Sequence, residues 1–158
     1  MQDGNRKSSL LSLMQTEHTQ LEALLNTLSE EQLLRPGVTG SWSVKDVLAH
    51  LTWWEQDMIS EILHGVELDP GLGGKPWSTE RANALMVEAK RETRLSEVLA
   101  AFHDSYHQIR QMVEGLPEVD LANDEIYTHL VNNTGNHYAE HRRWIEAGLN
   151  QKGSSTPL

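Results

Sequence analysis

The chain has 158 residues, enough to bury one sizeable core, and no cysteine, which excludes a thiolate nucleophile, a cysteine-based zinc site and a disulfide framework. Its formal net charge of −10 argues against nucleic acid as a partner, because phosphate binding needs a basic face. Eight histidines are many for this length, so their positions matter more than their number.

The amino-terminal Met1-Gln2-Asp3-Gly4-Asn5 has no signal-peptide core and reads as a frayed end. No apolar run along the chain approaches the roughly 20 residues of a membrane span. A soluble cytoplasmic protein with no membrane partner is expected. From Arg6 to about Leu28, Leu10, Met14, Leu21, Leu25 and Leu28 recur at helical spacing, with Leu11, Leu13 and Leu24 beside them. His18 falls on this stripe, either as a hydrogen-bonded core histidine or as the lining of a polar pocket. Ser29-Glu30-Glu31-Gln32 reads as a capping box for a short helical turn, and Pro36-Gly37 breaks the chain after it.

Ser43 then caps a second helix over residues 44 to about 64, with Asp46 placed to meet the exposed amides. Its stripe is Val47, Leu51, Trp54, Met58 and Ile62, and His50 lies one turn before Trp54, facing the core. Trp53 and Trp54 are about 100° apart on a helix, so one should be buried and the other nearer the surface. The connection from Gly65 to Ser78, with Pro70, Gly71, Gly73, Gly74 and Pro76, is too rich in glycine and proline for a helix. It is either a crossover between parallel or distant helices, or a lid with Trp77 as the plug over a pocket.

The third helical region begins after Ser78 or Thr79 and sharpens at Leu95, Val98, Leu99, Phe102, Tyr106, Ile109 and Val113. It is one bent helix or two pieces meeting near Thr93-Arg94. A last helix is expected from Asn123 or Asp124 to about Leu149, with the stripe Ile126, Leu130, Thr134, His137, His141 and Ile145. Four long helical patterns and no alternating segment predict an all-α four-helix bundle with a long connection between the second and third helices. One domain over residues 1–150 and a flexible tail over residues 151–158 complete the expected layout.

His137 and His141 stand at i and i+4 and continue the apolar stripe of their helix, so both should point inward. Two inward imidazoles are costly unless partnered, and a metal partners both at once. His50 from the second helix completes a set of three, with open positions suited to Zn²⁺, Ni²⁺, Fe²⁺ or Mn²⁺. Glu140 lies about 100° from His141 on the helix and is not assigned as a base. Acceptors for the outer imidazole N–H groups are expected, with Asp46, Glu17 and Asp57 as unranked candidates. His103 and His107 share the same spacing but sit beside the apolar stripe, which predicts a surface pair. His64 and His129 are expected to be solvated.

The run Gly40-Ser41-Trp42-Ser43-Val44-Lys45-Asp46-Val47-Leu48-Ala49-His50-Leu51, followed by His137-Tyr138-Ala139-Glu140-His141, resembles the DinB-like superfamily of four-helix bundles. The Asn83 region, Leu95-Ser96-Glu97-Val98-Leu99 and Leu116-Pro117-Glu118-Val119-Asp120-Leu121 make it most similar to the ClbS/DfsB branch. The resemblance spans about residues 8–150. It implies a divalent metal on a histidine triad, which maps to His50, His137 and His141, and a homodimer. Some members are thiol-dependent transferases or isomerases, and the ClbS branch includes a protein that protects its producer from a genotoxic metabolite by hydrolysis. The founding member of that branch differs from this chain at the histidine positions.

The leading expectation is a metal-dependent hydrolase or thiol-dependent transferase acting on a small molecule, with His18, Trp54 and Trp77 shaping the pocket. The alternatives are a metal-independent protein that binds or sequesters a small molecule for self-protection, and a structural dimeric bundle.

Overall fold

The structure, a computed structural model, describes residues 3–153. Among them are eight helices and no strand: α1 (Asp3–Asn26), α2 (Glu30–Leu34), α3 (Val44–His64), α4 (Thr79–Ala89), α5 (Leu95–Gly115), α6 (Glu118–Ala122), α7 (Asp124–Asn133) and α8 (Gly135–Gly153). The expected frayed start is helical from Asp3, and α8 carries the helix to Gly153. The rest of the expected tail, residues 154–158, lies outside the described residues, as do residues 1–2.

The capping box expected at Ser29 and the cap expected at Ser43 both form, the second also as a capping box. Ser29 Oγ accepts the Gln32 amide and the Gln32 side chain accepts the Ser29 amide, which starts α2. Ser43 and Asp46 exchange the same pair of bonds, at 3.1 and 3.0 Å, and start α3. Each such cap satisfies amides that the first helical turn leaves without partners. At the other end of α3, Gly65 adopts the left-handed conformation and its amide returns to the Glu61 carbonyl.

Polar contacts between the helices mark their directions. Arg6 meets Asp124 at 2.7 Å and, further along, Glu17 meets Arg142 at 3.3 Å, so α1 runs parallel to α7 and α8. Lys45 donates to the Arg91 carbonyl and Gln56 to Ser105, so α3 runs parallel to α5. His50 faces His137, whereas Glu61, three turns later, faces His129, so α3 is antiparallel to α7 and α8. A parallel α3 and α5 require the chain to travel back along the roughly 30 Å of a 21-residue helix. The glycine- and proline-rich segment and α4 make that crossover, which is why the second connection is long.

Leu10, Met14, Leu21, Val47, Leu48, Leu51, Phe102, Ile109, Val113, Leu130, Tyr138 and Ile145 fill the centre of the bundle, each at most 5% exposed or fully buried. No described helix is long and apolar enough to cross a membrane.

Of the two forms expected for the third helical region, the structure has the two pieces, α4 and α5, separated near Thr93-Arg94, and one expectation changes at the level of the helices. The last region, expected as one helix, breaks at Thr134, whose φ of −122° and ψ of −101° leave the helical range. A side chain at Gly135 would run into the side chain and backbone of Leu13, so the break lets α8 pack closely on α1. Thr134 is fully buried and its hydroxyl returns to the Leu130 carbonyl at 2.6 Å, which satisfies it there. A side-chain pattern cannot reveal this, because Thr134 and Gly135 keep the helical phase while the backbone does not.

Candidate metal centre

The cap at Ser43 sets the rotation of α3, and two turns later His50 points at α8. His137 and His141 leave α8 on the facing side. The Nε2 atoms of His50 and His137 lie 3.0 Å apart, and those of His137 and His141 3.1 Å apart. One ligand nitrogen from each of the three rings falls within 4.8 Å of the others. His50 and His141 are each 4% exposed and His137 is half-buried.

Burial lowers the proton affinity of all three imidazoles: His50 to about 2, His141 to about 3 and His137 to about 4. Neighbouring imidazoles add to the effect at His50 and His141. All three are therefore neutral at pH 7, the state in which a ring nitrogen offers its lone pair. A neutral ring has one N–H and one lone pair. His137 Nε2 faces two other Nε2 atoms, and one nitrogen cannot hold a good hydrogen bond with both. The three Nδ1 atoms are buried and make no hydrogen bond. Ligand nitrogens about 2.1 Å from one metal, at bond angles between octahedral and tetrahedral, would stand roughly 3.0–3.4 Å apart. The two spacings here fall in that interval, so the residues fit a divalent transition metal.

Next to the triad, Tyr138 Oη donates to Glu55 Oε2 at 2.6 Å, tying α8 to α3. Glu55 is fully buried, and burial raises its carboxyl to about 8, against the opposing effect of hydrogen bonds from Tyr138 and Ser105. Glu55 is thus a neutral acid at pH 7.

The triad opens into a cleft of about 470 Å³, whose lining includes Trp42, Trp54, Asn83, Asn133, Glu140 and Trp144. Trp54 lines the cleft, its Nε1–H donating to Asn83 Oδ1 at 2.8 Å. Trp42 is carried to the cleft by a tight turn in which Gly40, at φ +57°, closes the Thr39–Trp42 bridge. Its ring centre is 5.1 Å from that of His50. Trp144 meets His141 edge-on at 4.9 Å.

Trp77 does not cover the triad. It lines a neighbouring cavity of about 320 Å³ with Asp57, Glu67 and Lys75, which shares Trp54, Thr79 and Asn133 with the cleft. Nor does His18 reach the triad; it is buried against Tyr106 and Phe102. Trp53 and Trp54 are both half-buried, because each faces a cavity on a different side of α3. The three candidate acceptors for the imidazoles are occupied elsewhere: Asp46 in the cap, Glu17 with Arg142 and Asp57 with the Leu68 amide. His103 and His107 are exposed, and His129 has a partner in Glu61 at 3.3 Å.

Sequence reasoning missed Asn83, Asn133 and the approach of Glu140 to the cleft. Glu140 is exposed at the mouth, beside the triad rather than in line with it. Trp144 had a usable signal, since it stands three residues after His141 on the same face. Asn83 had none in the helical pattern, because the crossover alone brings α4 to Trp54.

The chain matches the DinB superfamily model over residues 13–145. No curated protein matches it in sequence. In fold it is similar to an uncharacterised protein from Escherichia coli UTI89, at 18% identity and a TM-score of 0.78, over 95% of this chain and 96% of the other. DfsB, a sibling lethal factor precursor, gives 15% identity and a TM-score of 0.78 over 92% of this chain and 96% of its own. The colibactin self-resistance protein ClbS, solved in complex with a dsDNA, gives 15% identity and a TM-score of 0.76 over 96% and 97%.

The ClbS complex overturns the exclusion of nucleic acid drawn from composition. A protein of this fold is held on a DNA duplex. The local surface that meets the phosphates decides such binding, and a formal charge summed over the chain does not describe that surface. The family match and the shared helical layout lead to one assignment: this chain belongs to the DinB superfamily.

Proposed function

We propose that the chain captures a small molecule in the cleft above His50, His137 and His141, in a self-protective role, with a divalent transition metal held by the three histidines. The convergence of three neutral Nε2 atoms at 3.0 and 3.1 Å on the floor of a tryptophan-lined cleft carries this reading. The protective role is supported by the fold shared with ClbS, a colibactin self-resistance protein.

Trp42, Trp54 and Trp144 would take the flat or apolar part of the ligand and exclude water from it. Asn83, turned by its bond from Trp54, and Glu140 at the mouth would orient its polar groups. A bound Zn²⁺, Ni²⁺, Fe²⁺ or Mn²⁺ would supply a Lewis acid and a water of lowered pKa.

A second reading is turnover of the captured molecule, by hydrolysis or by transfer of a low-molecular-weight thiol. Its support is the number of protein ligands: three leave positions for water or substrate, as catalytic sites do.

Tag-free protein and the His137→Ala variant test the metal. About one equivalent of a transition metal lost in the variant is the expected result. Equal metal content in both proteins, even after incubation with Zn²⁺, Ni²⁺ and Mn²⁺, would remove the metal from the reading. Capture is tested by quenching of tryptophan fluorescence with a panel of aromatic electrophiles. Mass spectrometry of the recovered molecule then separates the readings: unchanged means sequestration, changed means an enzyme.

A further inference from the structure

A different set of metal-ligating groups lies where α1 meets α5. His18 is 3% exposed and its ring stacks on Tyr106, 3.6 Å between centres and 9° from parallel. Phe102 lies 5.0 Å away and Tyr138 meets the ring edge-on. These aromatic contacts fix the ring in one orientation, with Nδ1 turned toward Glu22, one turn further along α1. His18 Nδ1 and Glu22 Oε2 are 3.7 Å apart, too far for a hydrogen bond. His18 Nε2 is buried with no partner. A fixed, buried imidazole therefore has neither nitrogen in a hydrogen bond, and its Nδ1 is aimed at a carboxylate.

On α5, His103 approaches the same carboxylate from the other side, its Nδ1 2.7 Å from Glu22 Oε1. The three ligand atoms, one each from His18, Glu22 and His103, lie within 4.8 Å of one another. Burial holds His18 neutral, lowering it to about 3, and His103 and His107 add to the effect. A neutral ring keeps one lone pair, and with the proton on Nε2 that lone pair is on Nδ1, turned toward Glu22. Glu22 and His103 have side chains 36% and 46% exposed, so water can complete a coordination shell.

We propose that His18, Glu22 and His103 form a second divalent-cation site, of the two-imidazole, one-carboxylate kind, independent of the triad. This donor set suits Zn²⁺ or Ni²⁺. The cation gives His18 Nδ1 the partner it lacks and clips α1 to α5. His107, one turn beyond His103 on α5, is exposed.

The test is equilibrium dialysis of tag-free protein against Zn²⁺ at neutral pH, with elemental analysis. The proteins are the wild type, His103→Ala, Glu22→Gln and His137→Ala. His103 and Glu22 are accessible enough for their variants to fold. The site predicts that His103→Ala and Glu22→Gln each lose one equivalent, or bind it more than about tenfold more weakly, while His137→Ala keeps it. Zn²⁺ should also raise the melting temperature of His137→Ala and not that of the His137→Ala/His103→Ala double variant. Equal stoichiometry and affinity in the wild type, His103→Ala and Glu22→Gln would overturn the site and leave a hydrogen-bonded His103–Glu22 pair. Unchanged metal in His137→Ala alone would count against the triad and not against this cluster.

Discussion

Replacing Glu55 by glutamine should make the protein more stable at neutral and alkaline pH. Glu55 is fully buried, and its carboxyl is raised to about 8 from an ordinary 4.5. A carboxyl raised on folding binds its proton more tightly in the folded state. Between pH 4.5 and 8 the folded protein then holds more protons than the unfolded one, so stability falls as pH rises. Integrating over these two values, the cost relative to a group that never ionises is under about 1 kcal/mol at pH 5, about 3 at pH 7 and about 5 at pH 9. Glutamine has nearly the same shape, and its amide oxygen still accepts from Tyr138 Oη. Glu55→Gln should therefore match the wild type near pH 5 and gain on it steadily above. Urea unfolding of both proteins at several pH values, with chelator present, measures the difference, and the histidines cancel because both proteins carry them. Parallel stability curves across this range would refute the reasoning and show that water reaches the Glu55 carboxylate.

Tyr138→Phe removes the donor to Glu55 and should cost about 1–3 kcal/mol in urea unfolding at pH 6. Gly135→Ala should destabilise by about 1–3 kcal/mol, because the new methyl meets Leu13; a neutral effect would mean that α1 and α8 can move apart freely. The acid limb has the opposite sign from Glu55. His18, His50, His137 and His141 are all lowered from 6.5 by burial, so the stability they contribute is complete above pH 6.5 and is lost as pH falls toward their folded values. The urea midpoint of chelator-treated protein should drop between pH 6.5 and 4, and less steeply in His141→Ala.

The sequence by itself determined that the chain is helical, where its apolar stripes lie and the inward phase of the three histidines. Helical periodicity is local, so Leu10, Met14 and Leu21 mark one face wherever the helix goes. The capping box at Ser43 and Asp46 is also local, and it set the start of α3 and with it the direction of His50. The phase of His137 and His141 against Ile145 could be read the same way. The resemblance to the superfamily, carried by the run from Gly40 to Leu51, added the link between His50 and the later pair.

Only the tertiary structure decided what meets what across the bundle. The parallel course of α3 and α5 placed α4 and Asn83 beside Trp54, and moved Trp77 into the neighbouring cavity. The break at Thr134 depends on Leu13, more than a hundred residues earlier, which no local pattern contains. His18 and His103 each looked ordinary on its own helix. Their meeting at Glu22 exists because α1 and α5 pack side by side, and that packing comes from the burial of both apolar faces at once, which no single segment encodes.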